Sequence, residues 1–164
     1  MEMDQADLSV RLSALWNIIG ARRSLKDDGI PCQIEEGVFL GSIGAAHNKD
    51  ELKKLNITHI LTIAFVDTRD ADIKQHFDDC FNFIEEGRQS GGVLIHCFAG
   101  VSRSVTITLA YLMKKRGMNL TEALEHVKSR RPQASPNVGF MVQLKEFETT
   151  LQASKEDGMK LSNV

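Results

Sequence analysis

Apolar residues recur along this chain in two rhythms, one helical and one extended, and the alternation between them organises the sequence. Leu8, Leu12, Leu15 and Ile19 repeat at helical spacing with Trp16 beside them, and Arg22, Arg23 and Lys26 follow. That pattern predicts a basic amphipathic helix from Leu8 to about Lys26. Asp27-Asp28-Gly29-Ile30-Pro31 reads as a breaker and linker. Val38-Phe39-Leu40-Gly41-Ser42 is a short strand, and Asn48 is placed to cap a helix from Lys49 to Leu55. Thr58 to Ala64, a compact β-branched apolar run, has the profile of a buried strand. Ile73, Phe77, Phe81 and Ile84 stripe a helix from Asp72 to about Arg88. Gly91-Gly92-Val93-Leu94-Ile95 predicts a buried strand, and Val105 to Lys115 a helix. Asn119 with Glu122 forms a cap signature for Leu120 to Arg130, which Pro132 stops. Asn137 to Gln152 makes a last helix, with fraying expected from Ala153. Strands alternating with helices predict an α/β fold, a mainly parallel central sheet flanked by helices.

Composition narrows the function classes. The chain has 164 residues, enough for one domain with its own core. Its 20 basic and 22 acidic side chains give a formal charge of -2, so bulk charge implies neither a nucleic acid nor an anionic membrane as partner. Cys32, Cys80 and Cys97 show no metal-like spacing and leave one unpaired under any disulfide scheme, which fits a reduced cytoplasmic or nuclear compartment. Glu2, Asp4, Asp7 and Arg11 interrupt any signal-peptide core, and no run is long enough to span a bilayer.

The chemistry concentrates in His96-Cys97-Phe98-Ala99-Gly100-Val101-Ser102-Arg103-Ser104. A strand–loop–helix junction aims successive backbone N–H groups into one concavity at a helix N-terminus, which suits a phosphate dianion. The same field favours thiolate at Cys97 and makes it a nucleophile near neutral pH. Arg103 can fork two hydrogen bonds onto phosphate oxygens. A lone buried cysteine is usually just a small hydrophobe, but the conjunction of Cys97, Gly100, Arg103 and Ser104 in one loop points to phosphoryl transfer through sulfur.

On these residues the chain resembles the dual-specificity protein phosphatases, and most nearly the small plant enzymes similar to MAP kinase phosphatases. The resemblance rests on Cys97 followed by five residues and Arg103, and on Ala99-Gly100, Ser102-Arg103-Ser104 and Ala110-Tyr111-Leu112-Met113. It continues in Arg131-Pro132, Ser135-Pro136-Asn137 and Gly139-Phe140, and runs from about Gln33 to Leu151. It implies a catalytic domain over 32–152, preceded by a helix and linker (1–31) and followed by a flexible tail (153–164). It also implies that Phe98, Ala99, Gly100, Val101, Ser102 and Arg103 bind the phosphate, that His96 orders the loop, and that Ser104 eases departure of the Cys97 sulfur. Asn137 and Ser102 would brace the loop from behind. No cofactor or metal is required, because backbone amides and Arg103 supply the charge stabilisation.

The general acid lies in Phe65-Val66-Asp67-Thr68-Arg69-Asp70-Ala71-Asp72. Aligning the helix that follows on Phe77 puts Asp67 at the family's acid position, with Asp70 and Asp72 as alternatives. Relatives carry a Pro-containing loop and a further core strand before this point, about 20 residues by ordinary loop and strand lengths. Here Asp67 follows Ala64 almost at once, so a shortened sheet is expected. The loop interior carries no lysine, unlike phosphoinositide phosphatases of the superfamily, and the resemblance implies a phosphorylated protein substrate, a MAP kinase. The alternative is a catalytically impaired phosphoprotein-binding module, or a splice isoform, owing to the absent strand. The N-terminal helix suits a calmodulin-type groove or an acidic patch on a kinase, or simply packs on its own domain.

Overall fold

The computed structural model describes residues 28–161, so the helix expected over Leu8 to Lys26 lies outside the described residues. Four short strands form one sheet in the order β1-β2-β4-β3. They are β1 (Cys32–Glu35), β2 (Val38–Gly41), β3 (His59–Thr62) and β4 (Val93–His96). β1 runs antiparallel to β2, while β2 and β3 both run parallel to β4. The helices are α1 (Ile43–His47), α2 (Lys49–Lys54), α3 (Phe77–Ser90), α4 (Arg103–Arg116), α5 (Leu120–Arg130) and α6 (Val138–Leu161), with a 3-10 turn at Lys74–His76.

The sheet is a middle layer because its central strands are apolar on both faces. Side chains alternate along a strand, so Phe39 and Leu94 point to one side, where they meet Ala45, Leu52, Leu55 and Ile57 of the α1–α2 region. Val38, Leu40, Val93 and Ile95 point to the other and join the main core with Phe77, Ile84, Ile107, Leu112, Val127 and Phe140 from α3 to α6. Each such side chain contributes about 1.5–3 kcal/mol by leaving water. α4 is buried from Ser104 to Met113, the position of a helix enclosed on all sides. Its buried threonine hydroxyls bond to backbone one turn back: Thr106 Oγ1 donates to Ser102 O and Thr108 Oγ1 to Ser104 O, both at 2.8 Å.

The α/β expectation holds, and the sheet is short as the sequence implies. Several elements differ. β3 was expected to be buried, yet its residues alternate between half-buried and exposed, and Ile60 is 41% exposed. It forms the sheet margin, with a partner on one side alone. The helix expected from Asp72 begins as a 3-10 turn at Lys74–His76, where Asp72 Oδ1 accepts from Gln75 N, and the α-helix starts at Phe77. Asn137 caps α6, its Oδ1 accepting from Phe140 N at 2.9 Å. That helix continues to Leu161, beyond the expected end at Gln152, because Gly158 alone does not stop a run of good helix formers. β1 and α1 have no sequence signal of their own: Cys32–Glu35 lacks the apolar run that marks the other strands, and Ile43–His47 is a single turn or so of helix.

Candidate active site

Gly41, Thr62 and His96 stand side by side at the C-terminal ends of β2, β3 and β4. Ligands of parallel sheets bind beyond such ends, and the loop from Cys97 to Ser102 leaves the sheet there to enter α4. Every carbonyl of this loop from Cys97 to Val101 is tied to something outside it. His96 Nδ1 donates to Cys97 O at 3.1 Å. Ile43 N donates to Phe98 O at 3.0 Å and Ser135 N to Val101 O at 2.8 Å. Arg131 donates through Nη2 to Ala99 O at 3.0 Å and through Nε to Gly100 O at 2.7 Å. With the carbonyls held outward, the N–H groups are left to face the concavity, the arrangement of an anion-binding nest. Gly100 makes the turn possible: its φ is +64°, and a Cβ there would run into the Gly41 carbonyl and the Arg131 guanidinium.

Cys97 sits inside this ring, 3% exposed. Its Sγ lies 3.1 Å from Ser104 Oγ and accepts from Gly100 N at 3.3 Å. Burial alone pushes the thiol pKa up, but hydrogen bonds from the Ser104 hydroxyl and from the backbone N–H groups of Ser104, Gly100 and Val101 outweigh it, and the net direction is down. His96 is buried, and desolvation holds its pKa below the usual imidazole value against the opposing bond to the Cys97 carbonyl. A carbonyl can only accept, so Nδ1 carries the proton and Nε2 accepts from Thr62 Oγ1 at 2.8 Å. The imidazole is therefore a neutral strut between the two strand ends.

Arg103 opens α4 and points back over the loop. Its Nη1 donates to Phe65 O at 2.8 Å, its Nε lies 3.8 Å from Asp67 Oδ2, and Nε is buried with no hydrogen-bond partner among the described residues. An unpaired buried guanidinium N–H at the mouth of an N–H-lined ring suits an oxyanion. Ile43, Ile63, Ala64 and Phe98 wall the adjoining hollow beside Cys97 and Arg103.

Asp67 reaches this loop in spite of the short run that separates it from β3. Its Oδ1 accepts from Ser102 Oγ at 3.0 Å and from Asn137 Nδ2 at 2.7 Å. Asn137 N in turn donates to Ser102 Oγ at 3.0 Å. Gly139 lets the acid loop come this close, since a Cβ there would collide with the Arg69 carbonyl. Asn137 thus holds the Asp67 loop as well as Ser102. Asp72 Oδ1 is engaged by Gln75 N, and Asp67 is the carboxylate of this loop that hydrogen bonds to Ser102 and Asn137 join to the Cys97 loop. The sequence gives Arg131 no role of its own; its loop partners lie 31 and 32 positions upstream and Asp28 lies 103 upstream, and no local pattern signals them. Cys80, expected to be packing, is buried on α3 and its thiol is pushed up to about 11 by burial, first, and by Asp79. Among the described residues no His/Cys/Asp/Glu group could hold a metal ion, and no helix is long and apolar enough to cross a membrane.

The comparisons with known proteins agree with this geometry. Dual specificity protein phosphatase 1 of Arabidopsis thaliana is 48% identical over 164 residues, covering 89% of this chain and 83% of that protein. That aligned span takes in less than the full chain, so the relative carries residues within it that have no counterpart here. The direct passage from the β3 margin to Asp67 fits such a difference. MAP kinase phosphatase with leucine-rich repeats protein 3 of Dictyostelium discoideum is 44% identical over 140 residues, 74% of this chain and 16% of that longer protein. The crystal structure of a mouse putative dual specificity phosphatase complexed with zinc tungstate superimposes with a TM-score of 0.74 at 30% identity, over 77% of this chain and 91% of the mouse chain. Residues 38–150 match the dual specificity phosphatase catalytic domain. With that match over most of its length and relatives of this identity, the chain belongs to the dual specificity phosphatase family.

Proposed function

We propose that this chain hydrolyses phosphotyrosine and phosphoserine or phosphothreonine in proteins through a cysteinyl-phosphate intermediate. The observation that carries the proposal is the outward anchoring of each carbonyl from Cys97 to Val101 around a thiol whose pKa is lowered. The Cys97 thiolate attacks phosphorus opposite the ester oxygen; an S–P bond forms as the P–O ester bond breaks. Asp67, in its protonated form, gives its proton to the leaving oxygen, a contribution of about 10²–10⁴-fold. The loop N–H groups and Arg103 take up charge on the three remaining phosphoryl oxygens. Water then attacks phosphorus while the Asp67 carboxylate accepts its proton, the S–P bond breaks, and inorganic phosphate leaves. The Ser104 hydroxyl, 3.1 Å from the sulfur, stabilises the returning thiolate.

The tether from Asp67 to Ser102 and Asn137 supports turnover over phosphoprotein binding alone. A MAP kinase as physiological substrate is supported by the Dictyostelium relative's name and identity. Phosphate release from an aryl phosphate, a phosphotyrosine peptide and a phosphothreonine peptide tests the reading directly. Cys97→Ser should abolish release from all of them, since a serine hydroxyl in the same cradle is scarcely ionised. Undiminished release from a pure Cys97→Ser preparation would remove the proposal.

A further inference from the structure

The loop carbonyls are held in two different ways. Those of Phe98 and Val101 are fixed by backbone N–H groups of Ile43 and Ser135, and that of Cys97 by the imidazole of the residue before it. Those of Ala99 and Gly100 depend on a single side chain, Arg131. A trans peptide unit points its C=O and N–H in opposite directions. Holding these carbonyls therefore turns the N–H groups of Gly100 and Val101 away from Arg131, to the side where Gly100 N meets Cys97 Sγ. Arg131 is fully buried and cannot choose its direction alone. Asp28 sets it, accepting from Nη1 at 3.0 Å and from Nη2 at 2.6 Å in the bidentate pairing that fixes a guanidinium plane. Asp28 is itself seated: Ser42 Oγ donates to its carbonyl and Asn48 Nδ2 to the carbonyl of Gly29, both at 2.8 Å. A segment that the sequence marks as a breaker is tied into the phosphate loop.

We infer that Asp28, acting through Arg131, is a positioning residue that fixes the direction of the Gly100 and Val101 N–H groups and thereby the affinity of the loop for a phosphate dianion. This rests on the phosphatase reading above. Asp28 touches no reacting atom. Its effect passes through one guanidinium to two peptide planes, and it belongs to the segment just before β1, far in sequence from the loop it serves.

The readout is protection of Cys97 from iodoacetamide by inorganic phosphate, followed on the Cys97 peptide by mass spectrometry in the full chain. Arg131 is enclosed, so its replacement endangers the fold, and Asp28→Asn is the deciding variant. It keeps the shape, removes the charge, and sets an amide N–H against a guanidinium N–H. The phosphate concentration giving half-protection should rise roughly threefold or more, the loss expected when one charge-assisted contact no longer orients its partner. Arg131→Gln, if folded by circular dichroism, should shift it in the same direction. Tyr111→Phe, which loosens the opposite side of the core, should leave it unchanged, and this separates positioning from general loss of stability. Half-protection by the same phosphate concentration in folded Asp28→Asn and in the parent would overturn the inference alone. A parent Cys97 that phosphate does not protect would instead overturn the phosphatase reading on which it stands.

Discussion

Ser102 Oγ donates to Asp67 Oδ1 at 3.0 Å, so the Cys97 loop and the Asp67 loop are joined by a hydrogen bond. Asn137 closes the figure, reaching Asp67 with its side chain and Ser102 with its backbone. The carboxylate is thereby placed by groups that belong to the phosphate loop and to the start of α6, and owes nothing to a strand beyond β3.

The first consequence concerns Asp67 itself. Asp67→Asn should slow hydrolysis of a phosphothreonine peptide by about 10²-fold or more, because an alkoxide leaves poorly without a proton donor. An activated aryl phosphate, whose phenolate leaves readily, should be affected much less. Ser102→Ala should reproduce part of the same contrast. Initial rates on the two substrates check this; equal losses on both would assign Asp67 to structure only.

Ser104 offers a pH test. The Cys97 thiol has a lowered pKa, and after the opposing effect of burial the Ser104 hydroxyl is the foremost cause. A lowered pKa means that thiolate persists to lower pH, so Ser104→Ala should raise the pKa and move the acidic limb of kcat/KM to higher pH. Dephosphorylation of the enzyme should slow as well, because the departing sulfur loses its donor. Rate profiles across the acid range, with rapid-quench measurement of phosphoenzyme, read both effects.

The same shift bears on stability. A thiol whose folded pKa lies below its unfolded value stabilises the fold once pH exceeds the unfolded pKa, and that contribution fades as pH falls through the folded pKa. Ser104→Ala should therefore cost more stability at alkaline than at mildly acidic pH. Urea unfolding at both ends of that range checks the sign.

Gly100→Ala should disable the loop. The residue has φ +64°, and the added methyl would meet backbone at Gly41 and the Arg131 fork, so the turn must open. Phosphate protection of Cys97 should be lost while far-UV circular dichroism stays close to the parent.

Tyr111→Phe should separate stability from catalysis. Tyr111 Oη donates to Glu85 Oε1 at 2.5 Å across the α4–α3 contact, away from the phosphate loop. Its removal should lower the unfolding free energy by about 1 kcal/mol, read by urea denaturation, with kcat unchanged.

The Cys97 loop was legible in the sequence because its parts are consecutive: strand, cysteine, glycine, arginine and helix follow within one short stretch. The Asn119 and Glu122 capping box was legible for the same reason, and both of its bonds form. Asp67 needed the resemblance to single it out, since an acidic loop has no period and its partners Ser102 and Asn137 come from elsewhere in the chain. Arg131 was marked by the resemblance, but its hold on the loop and its pairing with Asp28 were not legible, because contacts between distant parts of the chain leave no local mark. β3 looked buried because its composition suits a covered strand. The exposure of Ile60 comes from the neighbour that is lacking and not from the strand's own residues.

The interior position of β4 also bears on where this chain tolerates insertion and deletion. β2 and β3 flank it and end level with His96, so material can be trimmed outside β3 while both supports of the strand that leads into Cys97 stay in place. The opposite margin has no such freedom, because the segment leading into β1 carries Asp28, whose grip on Arg131 extends to the phosphate loop. Changes in length should therefore be absorbed at one edge of the sheet and punished at the other, a directional tolerance that follows from the strand order together with the Asp28–Arg131 pair.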